Sequence, residues 1–374
     1  MDTVKFGELF AYKKKSKIKA GDGLKVNEGQ YPFYTSSNKL SKSINEFQFS
    51  KPSLIFGTGG TPSVHFCEDD FAVSTDCLVA QPKDDSRVYV PYSYYFFTQN
   101  NMRILQEGFK GAGLKHISRN YIDKIEIPLP SLKKQKKIAS ILDDATALGD
   151  KTVQLLKEYD LLAQAIFLDM FGDPRLNEKE WDMKPLIKVS DVGSSRRVFV
   201  DELVESGIPF YRGKEIGNLS NGDEIEPDLF ITEKHYQELI EATGAPKIGD
   251  LLLPSICPDG RIFRVPDSSP FYFKDGRVLW IKVNQSKVNS YYLIFFLREL
   301  FRTSYSNIAS GTTFAELKIV ALKKIKTLLP PIELQNQFAE KIDLIEKQKE
   351  LAKKELQESE DLFNCLLQKA FKGE

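Results

Sequence analysis

Residue types that do chemistry are scarce in this chain of 374 residues. It holds three histidines, His65, His116 and His235, far apart in sequence, and four cysteines, Cys67, Cys77, Cys257 and Cys365, without a C-x-x-C pair. That spacing excludes a cysteine zinc site, and scattered cysteines point to free thiols in a reducing, cytoplasmic protein. There is no H-x-x-x-H, no P-loop and no G-x-S-x-G, the signatures of zinc hydrolases, nucleotide hydrolases and serine hydrolases. No apolar run reaches the ~18–20 residues that cross a bilayer, and the opening MDTVKFGELF lacks the basic-then-apolar order of a signal peptide. An excess of either charge is also missing, with 52 basic and 52 acidic residues. A local basic surface fits on a neutral chain, so this balance does not decide whether nucleic acid is a partner. Residues 1–130 carry about +3 and residues 328–374 about −3. The early run YKKKSKIK (12–19) reads as a solvated loop or a phosphate contact.

One stretch does suggest a cofactor. FGTGGTPSVHF (56–66) contains F-x-G-G, close to the glycine loop with which many methyltransferases hold S-adenosylmethionine. Such a loop ends a strand and opens a helix whose amides meet the ligand. Here the glycines run into TPSVHF, an alternating, β-rich segment, and the corresponding PSICPDGR (254–261) has no G-x-G. The Asn/Asp-Pro-Pro-aromatic grip of an amino-methylating enzyme is absent too; the sole Pro-Pro, Pro330-Pro331, follows leucine. The expectation is therefore a tight turn whose glycines let backbone approach a partner's phosphates. Asp69, Asp70 and Asp76 lack a following E-x-K or D-x-K and read as surface charge.

What the sequence does contain is a repeat. Residues 111–144 lie on 311–344 without a gap, with identities at Gly111/Gly311, Lys124/Lys324, Ile125/Ile325, Leu129/Leu329, Pro130/Pro330, Gln135/Gln335, Ala139/Ala339 and Asp143/Asp343. Upstream the halves agree in pattern: YPFYTSSN (31–38) with IPFYRGKE (208–215), and SLIFGTGGTPSVHF (53–66) with DLLLPSICPDGRIFRV (250–265). The order is module, helix, module, helix.

Each helix carries an apolar stripe. The first reads Ile138, Ile141, Ala145, Leu148, Leu155, Tyr159, Leu162 and Ile166, with Thr152 in the gap. The second reads Phe338, Ile342, Ile345, Ala352, Leu356, Phe363, Leu366 and Ala370, interrupted at Lys349 and Ser359. A 3.5-residue period over about four heptads is a coiled-coil seam. At roughly 40 residues, each helix spans on the order of 60 Å, and Gly172 and Gly373 mark the ends. The modules read as α+β, with short strands such as SLIF, SVHF, CLVA, DLLLP, RIFRV and RVLWIKV between Gly/Pro/Asp turns. Aromatic-rich helices follow at Tyr92–Asn100 and Asn289–Arg302. The expected boundaries are 1–130, 131–172 (helix), 173–184 (linker), 185–327 and 328–374 (helix).

The paired entries IPLPSLKKQKKIASIL and LLPPIELQNQFAEKI, each leading into a long helix, resemble the specificity subunits of type I restriction–modification systems. The resemblance covers the whole chain. It implies two α/β-mixed target-recognition domains separated by two antiparallel coiled-coil helices, with pseudo-two-fold symmetry. It also implies a non-catalytic subunit that reads a bipartite, asymmetric site on double-stranded DNA. Two modification subunits would carry S-adenosylmethionine and methylate adenine, and restriction subunits would join them; this chain would bind no cofactor or metal itself and would not meet a membrane. Loop residues near the turns are the candidate readers: Thr35, Ser36, Ser37, Asn38, Thr58, Thr61, Lys110, Lys115 and His116 in the first module. In the second they are Arg196, Arg197, Arg212, Lys214, Arg261, Thr312 and Thr313. Arginine to guanine and asparagine to adenine are the strong bidentate pairings. Tyr34 and Tyr211, in matching PFY stretches, read as core, and Gln135 and Gln335 as supports of the helix entry. Two other classes stay open: a stand-alone DNA methyltransferase or nuclease component with its own cofactor site, and a coiled-coil scaffold without nucleic acid.

Overall fold

The first module runs β1 (Thr3–Lys5), α1 (Phe6–Leu9), β2 (Phe10–Tyr12), β3 (Leu24–Lys25), β4 (Tyr31–Tyr34), β5 (Lys42–Ile44), β6 (Ser53–Gly57), β7 (Ser63–Cys67), β8 (Ala72–Val73), β9 (Cys77–Pro82), α2 (Val90–Phe97), α3 (Met102–Gly108), α4 (Arg119–Asp123) and β10 (Glu126–Pro128). The long helix α5 (Leu132–Phe171) follows. The second module runs β11 (Met183–Pro185), β12 (Ser190–Gly193), β13 (Ile208–Tyr211), α6 (Gly213–Ser220), β14 (Phe230–Ile231), α7 (Glu233–Thr243), β15 (Leu251–Pro254), β16 (Phe263–Arg264), β17 (Tyr272–Phe273), β18 (Val278–Val283), α8 (Ser290–Ile308), α9 (Ile319–Lys324) and β19 (Lys326–Leu328), and the long helix α10 (Ile332–Lys372) closes the series. This computed structural model describes residues 2–98, 102–311 and 315–372. Gln99 and Asn100 of the first aromatic segment, and Gly373, lie outside the described residues.

The duplication is visible strand by strand. The four-stranded sheet β2-β9-β6-β7 has its counterpart in β12-β18-β15-β16. The parallel pair β4–β8 corresponds to β13–β17, and the small antiparallel pair β1–β10 to β11–β19. Because β11 begins at Met183, the tail of the polar stretch 173–184 already belongs to the second module's sheet. The rest of that stretch folds back on the end of α5: the indole of Trp181 donates to the Phe171 carbonyl at 3.0 Å. Gly172, with φ +79°, makes the left-handed turn that ends the helix.

The fold divides into two units, Met1–Gln154 with Ala352–Glu374, and Leu155–Leu351. Each unit therefore holds one module and one end of each long helix. In the first, Phe6, Phe10, Phe56 and Phe97 form an aromatic centre, and Tyr92 and Phe96 pack on Phe371 near the end of α10. Ala139 and Leu142 of α5 and Leu367 of α10 are buried in the same core. In the second, Phe167 and Phe171, at the end of α5, pack on Phe338, at the start of α10, with Tyr292 and Phe295 of α8. The start of one helix meets the end of the other in both units, so the two run antiparallel.

The helix entry is the same device twice. The side-chain amide of Gln135 donates to the Pro130 carbonyl at 2.9 Å and accepts from the Tyr89 amide at 2.9 Å. Gln335 donates to the Pro330 carbonyl at 2.8 Å and accepts from the Asn289 amide at 2.9 Å. Both glutamines are fully buried. The hydroxyls of Tyr92 and Tyr292 donate to the carbonyls of Pro128 and Leu328. These bonds satisfy backbone groups that the prolines and strand ends leave open.

The apolar line of α5 needs correction. Ile141, Leu148, Leu155 and Leu162 are 40%, 53%, 37% and 47% exposed. The buried positions are Gln135, Ala139, Leu142, Thr152, Ala163, Phe167 and Phe171; Thr152 lies on the predicted stripe, whereas Ala139, Leu142, Ala163 and Phe167 each sit one residue past a predicted position. Ile138 and Ile166 are partly buried against the two module cores. Ala139 and Ala163 are small, and a stripe drawn through the larger apolar side chains passes them by. In α10, Phe338, Ile342 and Ile345 are buried, Leu356 lines a cavity, and Phe363 and Leu366 pack on the first module's core. Among the described residues no helix is long and apolar enough to cross a membrane.

Candidate nucleic-acid interface

The glycine stretch is the turn of a hairpin. Strands β6 and β7 pair antiparallel with Gly57 opposite Ser63, so 58–62 joins strand to strand, not strand to helix. A Cβ on Gly57 would lie 2.1 Å from the Ser63 hydroxyl and 2.9 Å from the Ser36 Cα, which explains why only glycine fits.

Around this turn the first module gathers its predicted residues. Ser36 Oγ and Thr58 Oγ1 both donate to the Asp76 carbonyl, at 2.8 and 3.0 Å. His65 Nε2 lies 2.7 Å from the Ser37 carbonyl, and burial pulls the His65 pKa below its usual value. Lys110 and His116 bond to each other through their backbones, the Gly60 amide donates to the Lys115 carbonyl, and His116 Nδ1 sits 3.1 Å from the Thr58 carbonyl. Thr35–Asn38, Thr58, Thr61, Lys110, Lys115 and His116 thus belong to three loops meeting at one end of the sheet. Ser37, Asn38, Thr61, Lys110, Lys115 and His116 are exposed there. Tyr34 is buried and Tyr211 half-buried against Phe271.

The second module repeats the backbone framework with different side chains. The Thr58 amide bonds to the Asp76 carbonyl and the Ile117 amide to the Thr58 carbonyl; likewise the Ser255 amide bonds to the Arg277 carbonyl and the Leu317 amide to the Ser255 carbonyl. The bridge Lys110–His116 recurs as Ser310–Glu316. Asp76 is thereby matched by Arg277, and His116 by Glu316. Arg277 Nη1 pairs with Glu316 at 3.2 Å, and Lys318 pairs with the same carboxylate. Arg277 and Lys318 escaped the sequence reading; extending the repeat alignment through β9 and β18 would have found Arg277.

The arginines named from sequence divide into two kinds. Arg196 and Arg197 are exposed. Their loop is pinned by Ser194 and Ser195, which donate to the carbonyls of Val278 and Phe273, and by the Arg196 amide, which donates to the Tyr272 hydroxyl. Arg197 also pairs with Asp275 at 3.2 Å. Arg212 is engaged by Glu215 at 2.8 Å and Asp228 at 3.0 Å. The paired guanidinium holds the Glu215 carboxyl below the usual range. Arg261 pairs with Asp259 at 2.9 Å and lies against Gly217. Arg212 and Arg261 thus clamp the start and flank of α6, on which Lys214 is exposed. Thr312 and Thr313 lie outside the described residues. Among the described residues no group of three or more His, Cys, Asp or Glu is placed to hold a metal.

This arrangement has relatives. The sequence matches the family model of the type I restriction modification DNA specificity domain over residues 1–158 and 178–360. A Haemophilus influenzae protein named as a type I restriction enzyme specificity subunit is 29% identical over 330 residues, covering 85% of this chain and 80% of the relative. The EcoDI specificity subunit of Escherichia coli is 22% identical over 410 residues, covering 100% of this chain and 88% of its own. Among solved structures, the S subunit of the type I restriction–modification system of M. genitalium superposes with a TM-score of 0.63 over 99% of this chain and 96% of that one, at 16% identity, a likeness of fold. With two matched copies of the specificity domain, each leading into a long helix through the same buried glutamine, the chain belongs to the type I restriction–modification specificity subunit family.

Proposed function

We propose that this chain reads a bipartite, asymmetric sequence on double-stranded DNA and directs modification and restriction subunits to it, catalysing nothing itself. The observation that carries this is the repeated framework of loops at one end of each sheet, alike in backbone and unlike in side chains. Two similar scaffolds with different contact residues suit an address made of two different halves. Phosphate contacts position such a reader and base-edge contacts specify. In the first module the exposed candidates are Ser37, Asn38, Thr61, Lys110, Lys115 and His116; in the second they are Arg196, Arg197 and Lys214, joined by Arg277. The exposed leucines of α5 supply an apolar strip on which modification subunits, carrying S-adenosylmethionine, dock. The setting is the cytoplasm, where the host DNA lies.

Mapping methylated adenines in cells that carry this chain and a modification subunit tests the reading. One split motif is the expected result; methylation without sequence preference overturns it. Replacing Arg196 and Arg197 with glutamate should weaken DNA binding by the assembled complex. It should also flatten the logarithmic salt dependence by about 2, if each contacts one phosphate. Tight binding of S-adenosylmethionine by the isolated chain, measured by calorimetry, would favour a stand-alone methyltransferase instead.

A further inference from the structure

The repeat builds the same elbow twice, where a module's aromatic helix meets the two long helices, and it furnishes the two elbows differently. In the second unit the elbow is lined by Phe295, Arg298, Glu346, Lys349, Asp160 and Ala163. In the first, the positions 200 residues away hold Tyr95, Thr98, Thr146, Gly149, Glu360 and Phe363, around a cavity of about 430 Å³.

The second unit carries its own cations. Lys349 Nζ lies 2.8 Å from Asp160 and 3.1 Å from Glu346, with its side chain only 18% exposed. The Arg298 guanidinium sits 5.8 Å from the Phe295 ring centroid and donates to the Gly260 carbonyl. In the first unit Gly149 and Thr98 replace both cations and Thr146 replaces Glu346, while the carboxylate of Asp160 has its counterpart in Glu360 and the ring of Phe295 in Tyr95. The aromatic wall is Tyr94, Tyr95 and Phe363. The carboxylates of Asp150 and Glu360 line the cavity without an ion-pair partner among the described residues. Ser359, 6% exposed, also lines it. An aromatic face beside carboxylates attracts a guanidinium or ammonium group, and exclusion of water strengthens the attraction.

We infer that the cavity of the first unit receives an arginine or lysine side chain from the modification subunit that docks there, supplying in trans the cation that Lys349 supplies in cis in the other unit. This rests on the docking of modification subunits proposed above. The two docking sites are then chemically unequal, although the chain that builds them is duplicated.

Stability of the full chain and stoichiometry of the complex test this separately. Gly149→Lys should raise the thermal midpoint above that of Gly149→Gln, which adds similar bulk without charge. The difference should vanish in a Glu360→Gln background. A lysine variant no more stable than the glutamine variant overturns the cation preference, whether or not any partner binds. In the complex, native mass spectrometry and titration with modification subunits should show Glu360→Gln and Gly149→Lys weakening one of two sites at least tenfold and sparing the other. Two sites of undiminished affinity in both variants overturn the assignment of the occupant. Failure of the unaltered chain to bind any modification subunit removes the docking proposal itself and with it the occupant, while the stability comparison still decides what the cavity prefers.

Discussion

Gln335 shows how much one side chain is asked to hold. Its amide bridges the Pro330 carbonyl and the Asn289 amide in a site closed to water. Gln335→Leu keeps the bulk and strands both backbone groups, so it should cost about 2 kcal/mol, read as a lowered urea midpoint for the unit that contains it. Gln135→Leu should do the same in the other unit. His65 predicts a pH effect of definite sign. Its folded pKa is lowered by burial, so between that value and the unfolded value of about 6.5 the unfolded chain binds the proton and the folded chain does not. Stability contributed by the neutral ring is present above about pH 6.5 and is lost as pH falls below it. Thermal midpoints measured across that window should fall less steeply for His65→Gln; an unchanged slope would show that another group is responsible.

Among the elements, the long helices teach most about what a sequence discloses. Their existence, length and duplication could be read directly, because identities at Pro130/Pro330 and Gln135/Gln335 repeat at constant spacing. The main strands could be read as well, from short apolar runs between turn residues. The inward face of α5 could not be read from hydrophobicity, since Leu162 is more apolar than Ala163, which is buried instead, and Leu148 is exposed. The repeat held the answer: moving the α10 positions Ile342, Lys349, Leu356 and Phe363 back by 200 gives Leu142, Gly149, Leu156 and Ala163, the line that faces inward. Candidate readers were legible as loop residues, but their pairing was not. Arg212 resembled a free cation until Glu215 and Asp228, brought up by α6 and the loop before β14, engaged it. A pair of substitutions separates the two faces of α5. Phe167→Ala should cost about 3–5 kcal/mol, measured by thermal unfolding. Leu148→Glu should leave the chain's stability within about 0.5 kcal/mol and abolish capture of modification subunits in a pull-down.

For the molecule as a whole, the path of the chain through its two units matters. Residues 155–351 form one unit without interruption, whereas the other needs 1–154 together with 352–374. Tyr92 and Phe96 find their packing partner in Phe371, 279 and 275 residues further along. On a ribosome, where N-terminal parts ordinarily mature first, the part translated earliest must wait for the last turns of α10 to emerge, and the part translated in the middle completes before it. Nascent chains stalled at increasing lengths and probed with protease should therefore show resistant fragments from 155–351 ahead of any from 1–154. A specificity chain maturing in this order would expose a finished second half to DNA or partners while its first half is still incomplete, so a truncated product would carry half an address.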